Sequence, residues 1–86
     1  MPLELTDRFV RAYERLPKHI RTKVQKALRL LEADFRHPGL RAKRVQGTEG
    51  IYEARVDQKY RLTYQRRGDW LVMRNVGPHD DVLDNP

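Results

Sequence analysis

The chain has 86 residues, no cysteine and a net charge of +6. Without cysteine it has neither disulfides nor thiolate metal ligands, and no apolar run approaches the ~20 residues that cross a bilayer. The amino-terminal segment has no basic start and no hydrophobic block, so we expect no signal peptide. These features predict a single soluble domain over residues 1–86, located in the cytoplasm and not associated with a membrane.

Positive charge is concentrated in the middle of the chain. Residues 36–67 contain nine Lys or Arg against three Asp or Glu, whereas residues 68–86 contain one against four. A basic region of this kind favours a polyanionic partner, either nucleic acid or an acidic protein segment. Charge that merely keeps the chain soluble is the alternative.

The first third of the chain predicts a short strand followed by two helices. Leu3-Glu4-Leu5 alternates as a strand does, and Thr6 or Asp7 can cap a helix that ends near residue 16. Pro17 suits the start of a second helix, over about residues 18–34. One apolar stripe runs along this second helix at helical spacing: Ile20, Val24, Ala27, Leu28 and Leu31. The two helices should form a hairpin with one apolar side.

The rest of the chain predicts four strands. Residues 40–46 suit a basic, partly irregular strand, and residues 51–56 and 60–65 alternate with a period of two. Residues 70–76 are apolar on both faces, with Trp70 expected in the core. Tight turns between the last three strands indicate an antiparallel meander. The predicted fold is therefore α+β, in the order β-αα-ββββ, with the helical hairpin on one face of the sheet.

We expect the other face of this sheet to stay open, because the sequence predicts no further helix to cover it. Residues 77–81 are predicted as a loop, followed by a tail that either packs Val82 and Leu83 on the core or frays. Four basic side chains are predicted on this surface: Arg55, Arg61, Arg74 and His79. Their convergence depends on strand register, since a slip of one residue exchanges the two faces.

Three guanidinium groups and one imidazole on a rigid sheet would suit recognition and cleavage of a phosphodiester. A structural network of ion pairs with Glu53 and Asp57 is the alternative, because charged cross-strand pairs are common in sheets. The spacing of His37, His79 and Asp80 matches no metal-ligand motif. We therefore expect neither a metal nor a cofactor.

Four segments together resemble the RelE/ParE superfamily of bacterial and archaeal toxins: RLP (15–17), HPGL (37–40), YEARVDQKYRLTYQ (52–65) and NVGPHDD (75–81). The resemblance covers nearly the whole chain and implies the toxin of a type II toxin–antitoxin pair. The RelE-like branch cleaves mRNA in the ribosomal A site, and the ParE-like branch inhibits DNA gyrase. A RelE-like mRNA endonuclease is the favoured function, and a ParE-like or non-catalytic binding module is the alternative.

The resemblance also implies which residues act. The catalytic residues would be Arg61 in the YRL motif, Arg55 on the preceding strand and His79 after the last strand. Glu53 stands where some members of the family have a lysine, and we expect it to be catalytic on chemical grounds, as a base. Five further basic residues would bind the substrate: Arg41, Lys43, Arg44, Lys59 and Arg74. Some members of the family have an aromatic residue just beyond the histidine position, and this chain has none there. The implied partners are an acidic antitoxin encoded next to the toxin, the ribosome and mRNA.

Metal-independent cleavage of RNA uses the substrate's own 2′-OH as the nucleophile. A base takes the hydroxyl proton, an acid protonates the leaving 5′ oxygen, and cations stabilise the charge on the phosphoryl oxygens. Arg61 and Arg55 suit the last role, because a guanidinium binds phosphate through two hydrogen bonds. His79 can be the acid or the base, with Glu53 as a candidate second base and Asp80 as the group that orients the imidazole.

Overall fold

A five-stranded sheet and three helices form the structure, a computed structural model that describes residues 1–86. In chain order the elements are β1 (Leu3–Leu5), α1 (Asp7–Glu14), α2 (Lys18–Ala33), a 3₁₀ turn (Pro38–Leu40), β2 (Lys43–Arg44), β3 (Ile51–Arg55), β4 (Tyr60–Arg67), β5 (Trp70–Pro78) and α3 (His79–Asp84). No helix combines the length and the apolar character needed to cross a membrane.

The sheet has the strand order β1-β5-β4-β3-β2. Strands β2 to β5 form the antiparallel meander, and β1 pairs in parallel with β5. The predicted α+β fold and the order β-αα-ββββ are thus confirmed. The strand expected over residues 40–46 is much shorter than predicted, because the 3₁₀ turn and a left-handed Arg41 (φ 46°) precede it. Only Lys43 and Arg44 pair with β3.

The two long helices begin where the sequence indicates. The side chain of Thr6 accepts a hydrogen bond from the backbone N–H of Phe9 at 3.1 Å, which caps α1. The same hydroxyl donates to the carbonyl of Met73 at 2.7 Å, so the cap also joins α1 to the sheet. Along α2, four members of the predicted apolar stripe are buried: Ile20, Val24, Ala27 and Leu31.

Both helices pack on one face of the sheet, which we call the inner face; the opposite one is the outer face. Six strand residues point into this core: Ala54, Leu62, Tyr64, Leu71, Met73 and Val76. Helix residues that meet them include Phe9, Ile20 and Leu31. Residues that alternate with the core positions on β3 and β4, such as Arg55 and Arg61, therefore lie on the outer face.

A β-bulge interrupts the pairing of β4 with β5. Thr63 pairs with Asn75 and Tyr64 with Met73, so Arg74 is an extra residue on β5. The bulge explains why Met73 and Val76 share the inner face although they are three positions apart. It also keeps Arg74 out of the regular alternation.

The expectation that Trp70 lies in the core is wrong. Its residue surface is 49% exposed. Trp70 is the first residue of β5 and pairs with Arg67 next to the turn. Because the next residue, Leu71, enters the core, Trp70 lies on the outer face, away from the two long helices.

The outer face is not left open, contrary to the expectation from sequence. The segment predicted as a loop and tail forms α3, and its buried Val82 packs over Gly77 of β5. A Cβ placed on Gly77 would lie 3.4 Å from Cγ2 of Val82. The helix escapes detection in the sequence because six residues are too few to show periodicity, and one valine anchors it.

Truncation of Leu62 tests the inner-face assignment. Leu62 is fully buried in the centre of the core, so Leu62→Ala should reduce the free energy of unfolding by about 2–5 kcal/mol. Leu5→Ala is the matched control, because Leu5 is exposed and should change stability by less than about 0.5 kcal/mol. Urea denaturation followed by circular dichroism measures both. Equal losses in the two variants would contradict the assigned register.

Candidate active site

Two rows of side chains cross the outer face perpendicular to the strands. The first row joins Lys43, Glu53, Thr63 and Asn75, which are successive cross-strand partners. The second row joins Arg55, Arg61 and Gly77. Of the four basic side chains predicted to converge, Arg55 and Arg61 share a row on the outer face, with Glu53 in the neighbouring row. Arg74 does not join them, because it occupies the bulge.

Arg61 is held in place by main-chain oxygen atoms of the β3–β4 turn. Its Nη1 donates to the carbonyls of Asp57 at 2.6 Å, Tyr60 at 2.9 Å and Gln58 at 3.4 Å. Its Nε lies 3.9 Å from Oε1 of Glu53. These contacts engage Nη1 and Nε and fix the position of the guanidinium, while Nη2 has no partner within the chain.

Glu53 is 5% exposed although its side chain is acidic. Lys43 is its direct cross-strand partner, Thr63 flanks it on β4, and Arg61 lies on the diagonal. It is the only carboxylate on β3 or β4. Its carboxyl group therefore lies between cationic neighbours, inside a basic surface.

Arg55 differs from Arg61 in having no partner. It lies directly opposite Arg61 and is partly exposed, but its side chain forms no hydrogen bond and no ion pair. Two like charges on facing positions repel each other. Arg55 is therefore the guanidinium of this row that is free to bind an anion.

The turn that anchors Arg61 is organised by Asp57. Its Oδ1 accepts hydrogen bonds from the backbone N–H groups of Lys59 at 2.9 Å and Tyr60 at 2.8 Å, and its Oδ2 pairs with Lys23 at 3.2 Å. Burial alone would raise the pKa of this carboxyl group, but the hydrogen bonds from Lys59, Tyr60 and Lys23 outweigh it and lower the pKa. The lysine comes from α2, so the turn is tied to the helical layer.

His79 begins α3 next to this turn. Its backbone N–H donates to the carbonyl of Lys59 at 2.8 Å, one position beyond the Tyr60–Pro78 pair. Nδ1 of the imidazole lies 3.1 Å from Oδ1 of Asp80, as the sequence suggests for a carboxylate that orients the ring. The side chain is 44% exposed, so a substrate can reach its Nε2.

Arg74 lies away from the Arg55–Arg61 row. It occupies the bulge, two rungs along the sheet, where Nε donates to the main-chain oxygen of Pro86 at 3.2 Å and Nη1 to Oε1 of Gln65 at 3.2 Å. Thr63 donates to the same oxygen of Pro86 at 3.0 Å, and Asn75 donates to the carbonyl of Asn85 at 2.9 Å. Arg74 therefore holds the residues after α3 over the outer face.

The other residues expected to bind the substrate do not all lie on the outer face. Lys43 is on the outer face opposite Glu53, and Lys59 is exposed in the turn beside His79. Arg44 pairs with Tyr52, an inner-face position, and donates to the carbonyl of Thr48. Arg41 lies near Tyr52 in a concavity on the inner-face side. The short β2 explains this separation, because it places only Lys43 on the outer face.

Two residues that the sequence interpretation did not single out shape the site. Gly77 completes the Arg55–Arg61 row, and its missing side chain leaves room for Val82 of α3. Thr63 is fully buried between Glu53 and Asn75 and fastens Pro86. A glycine inside an otherwise apolar strand is a recognised sign of close approach by another segment, so Gly77 was detectable. No group of three His, Asp or Glu side chains is placed to hold a metal ion.

No protein-family model and no curated protein matches the chain. Solved structures do match. YafQ from E. coli strain BL21(DE3) superposes with a TM-score of 0.78 at 16% identity, over 93% of this chain and 94% of that one. The YoeB/ParE toxin from Agrobacterium tumefaciens gives 0.75 at 19% identity, over 92% and 99%. RelE in the RelB–RelE complex from Methanococcus jannaschii gives 0.74 at 20% identity, over 96% and 98%. The likeness is one of fold and extends over nearly the full length of each chain.

Acid should selectively weaken the turn at Asp57. Because its pKa in the folded state is below the ordinary 3.8, the stabilisation by this carboxylate is complete above the unfolded pKa and is lost as the pH falls through the folded value. We expect wild type to be more stable than Asp57→Asn at pH 7, with a difference that shrinks below about pH 4. Asp69→Asn, at an exposed carboxylate without a partner, is the control. A difference for Asp57→Asn that stays constant down to pH 3 in urea titrations would contradict this account.

Proposed function

We propose that this chain, which has the fold of the RelE/ParE toxins, is the toxin of a type II toxin–antitoxin pair. We further propose that it is an endonuclease that cleaves mRNA on the ribosome. The observation that carries the proposal is the placement of Arg55 opposite Arg61 on the outer face, with His79 at the end of the neighbouring rung. On this proposal the two guanidinium groups and the imidazole act on the same phosphate.

The two arginines have different roles in binding the scissile phosphate. Arg55 has no partner in the chain and donates to the phosphoryl oxygens. Arg61 is preorganised by the turn carbonyls and adds its free Nη2. Donors already fixed where charge develops stabilise a transition state without reorganisation at the moment of reaction. The anchoring of Arg61 therefore suits catalysis, because a hydrogen-bonded turn already holds the guanidinium in a fixed position.

The reaction consists of one displacement at phosphorus. Glu53, whose carboxylate is buried beside Arg61 and must become accessible as the RNA binds, takes the proton of the 2′-OH. The 2′ oxygen bonds to phosphorus, and the bond from phosphorus to the 5′ oxygen breaks. His79, protonated, gives its proton to that 5′ oxygen, which leaves a 2′,3′-cyclic phosphate and a 5′-OH. Asp80 positions the imidazole through Nδ1 and leaves Nε2 for the proton transfer.

The ribosome would supply what this small site does not. A general acid or base contributes typically about 10²–10⁴-fold, and the chain provides two such groups. Orientation of the mRNA by the ribosome adds to the rate because it holds the 2′-OH in line with the scissile bond. Lys43 and Lys59, exposed beside the site, extend the positive surface along the RNA backbone.

The proposed partner is an acidic antitoxin encoded next to this gene. YafQ has been crystallised with DinJ, and RelE from Pyrococcus horikoshii with RelB. The net charge of +6 of this chain favours association with an acidic segment, which would also neutralise the outer face.

A second candidate function is inhibition of a protein target such as DNA gyrase without RNA cleavage. Two observations favour it: the residues after α3 cover the row from Thr63 to Asn75, and no aromatic residue follows His79 within α3. On this alternative the arginine row binds an acidic protein surface and proton transfer has no part.

Removal of the imidazole separates these functions. His79→Ala should slow translation-dependent mRNA cleavage by at least about 10²-fold, and Arg55→Ala should slow it comparably through loss of phosphate binding. The measurement is cleavage of a reporter mRNA in a reconstituted translation reaction, mapped by primer extension. His19→Ala and Arg29→Ala change exposed residues of α2 and are the matched controls.

The nuclease proposal fails if wild type inhibits growth without cleaving mRNA and if His79→Ala and Arg55→Ala inhibit growth equally well. That outcome would support inhibition of a protein target. Circular dichroism of each variant excludes unfolding as the cause of any loss.

A neighbouring open reading frame should encode the antitoxin. We expect a short acidic protein whose co-expression restores growth and which co-purifies with this chain in low salt. Because the contact is electrostatic, its association rate should fall as salt is raised. Growth inhibition that no adjacent gene relieves would argue against a toxin–antitoxin pair.

A further inference from the structure

A basic concavity lies on the side of the molecule opposite the candidate active site. It is formed between residues 35–42 and the inner-face side of β3 and β4, beyond the end of the helical hairpin, and encloses about 580 Å³. We call it the tyrosine pocket and define it by six of its lining residues: Arg36, His37, Arg41, Tyr52, Tyr64 and Arg66. None of these residues belongs to the catalytic set proposed above.

The floor of the tyrosine pocket is a stacked aromatic pair. Tyr52 and Tyr64 are cross-strand partners. Their ring centroids lie 5.8 Å apart, and their ring planes are inclined by 20°. Tyr64 is 3% exposed, whereas Tyr52 is 37% exposed. Burial, with a smaller contribution from Tyr52, raises the pKa of the Tyr64 phenol, so this group stays neutral. Tyr52 is therefore an accessible ring supported from behind by a fixed one.

The rim of the tyrosine pocket carries three exposed guanidinium groups and no acid. Arg36, Arg41 and Arg66 all line the pocket, and none of them takes part in an ion pair. No Asp or Glu is among the lining residues. Arg66 uses Nε to bond the carbonyl of Gly68 at 3.1 Å, which fixes its stem and leaves both terminal nitrogen atoms free. The pocket is thus strongly positive and accessible.

The backbone at Arg41 is strained in a way that serves this pocket. Arg41 has φ 46° and is the chain's one residue other than glycine with a positive φ. A side chain in the left-handed region costs free energy, and glycine or asparagine would avoid most of it. The strain places a guanidinium at the rim directly after the 3₁₀ turn, where His37 also lines the pocket and caps the turn through Nδ1.

We propose that the tyrosine pocket binds one nucleotide unit of single-stranded RNA, with the base against the ring of Tyr52 and the flanking phosphates on Arg36, Arg41 and Arg66. Aromatic rings beside a basic rim are the chemistry by which proteins hold single-stranded nucleic acid, since every base has a face to stack. An acidic peptide would use the guanidinium groups but gain little from the tyrosines. The aromatic floor is what favours RNA.

The choice of RNA as ligand rests on the proposed function, but the site itself does not. The tyrosine pocket is on the inner-face side and the Arg55–Arg61 row is on the outer face. The nucleotide held in the pocket is therefore not the one cleaved. It provides a second attachment to RNA that orients the toxin while the outer face acts.

The test uses the full chain and a fluorescent oligouridylate of about eight nucleotides with 2′-O-methyl groups, which cannot be cleaved by 2′-OH attack. Binding is measured by fluorescence anisotropy over a range of salt concentrations. Tyr52→Leu should weaken binding by at least about fivefold, because stacking is lost, whereas Tyr52→Phe should bind as wild type. Both variants have an apolar side chain at position 52, but only phenylalanine keeps the aromatic ring.

The rim is tested by replacing Arg36, Arg41 and Arg66 together with glutamine. The slope of log affinity against log salt should decrease in magnitude by about 2, since each lost phosphate contact contributes about 0.7 for a single strand. Replacement of Arg11, Arg29 and Arg67 by glutamine changes net charge equally at exposed positions outside the pocket. This control should leave the slope unchanged.

Cross-linking of wild type to the same oligonucleotide carrying 4-thiouridine locates the contact even where a variant folds poorly. Attachment at Tyr52 supports the proposal. Attachment confined to the outer face, or equal affinity of Tyr52→Leu and wild type with both folded, overturns it. So does displacement of the RNA by oligoglutamate of equal charge at equal concentration, which would identify an acidic-peptide site. The outcome is independent of the nuclease test, because the modified RNA is never cut and His79 is left intact.

Discussion

The pairing register of β4 is the constraint on which the candidate site depends. Leu62 and Tyr64 enter the core from this strand, while Arg61, Thr63 and Gln65 face the other way. A slip of one residue would bury the arginine and expose the leucine, so the same apolar packing that stabilises the fold selects the face on which the cations appear. Core and site are not separate features that could vary independently. They are the two sides of one strand.

Placing Arg55 opposite Arg61 costs the fold some stability, since like charges on facing positions repel. The structure offsets this cost for only one of the two arginines. Arg61 receives the turn carbonyls and Glu53, and Arg55 receives nothing. The asymmetry matters for chemistry, because a site with both guanidinium groups internally bonded would have little affinity left for a phosphate. One anchored cation and one unpaired cation give both a fixed geometry and a free donor.

Features that depend on periodicity could be predicted from the sequence, whereas features that depend on a single contact could not. Alternation identified the faces of β3 and β4, and helical spacing identified α1 and α2. By contrast, α3 rests on one valine over one glycine, and the bulge at Arg74 leaves no mark in the residue pattern. Arg41, Lys43 and Arg44 were all expected to bind the substrate, but only two residues of this segment pair with β3, and only Lys43 lies on the outer face. The element order β-αα-ββββ followed from alternation, helical spacing and turns alone, and the resemblance to a toxin family added the expected site residues.

The parallel pairing of β1 with β5 has a consequence for how the molecule comes into being. Leu3 pairs with Leu71, and Thr6 bonds the carbonyl of Met73, so the first strand of the fold to be synthesised pairs with the last. Until β5 has left the exit tunnel, β1 and β4 each lack a neighbour, and Gly77 and His79 are not yet in place. Contacts so distant in sequence form slowly. The outer-face site is therefore completed only after β5 and α3 have emerged, so the candidate site is assembled at the end of synthesis, whatever the order in which the helices form.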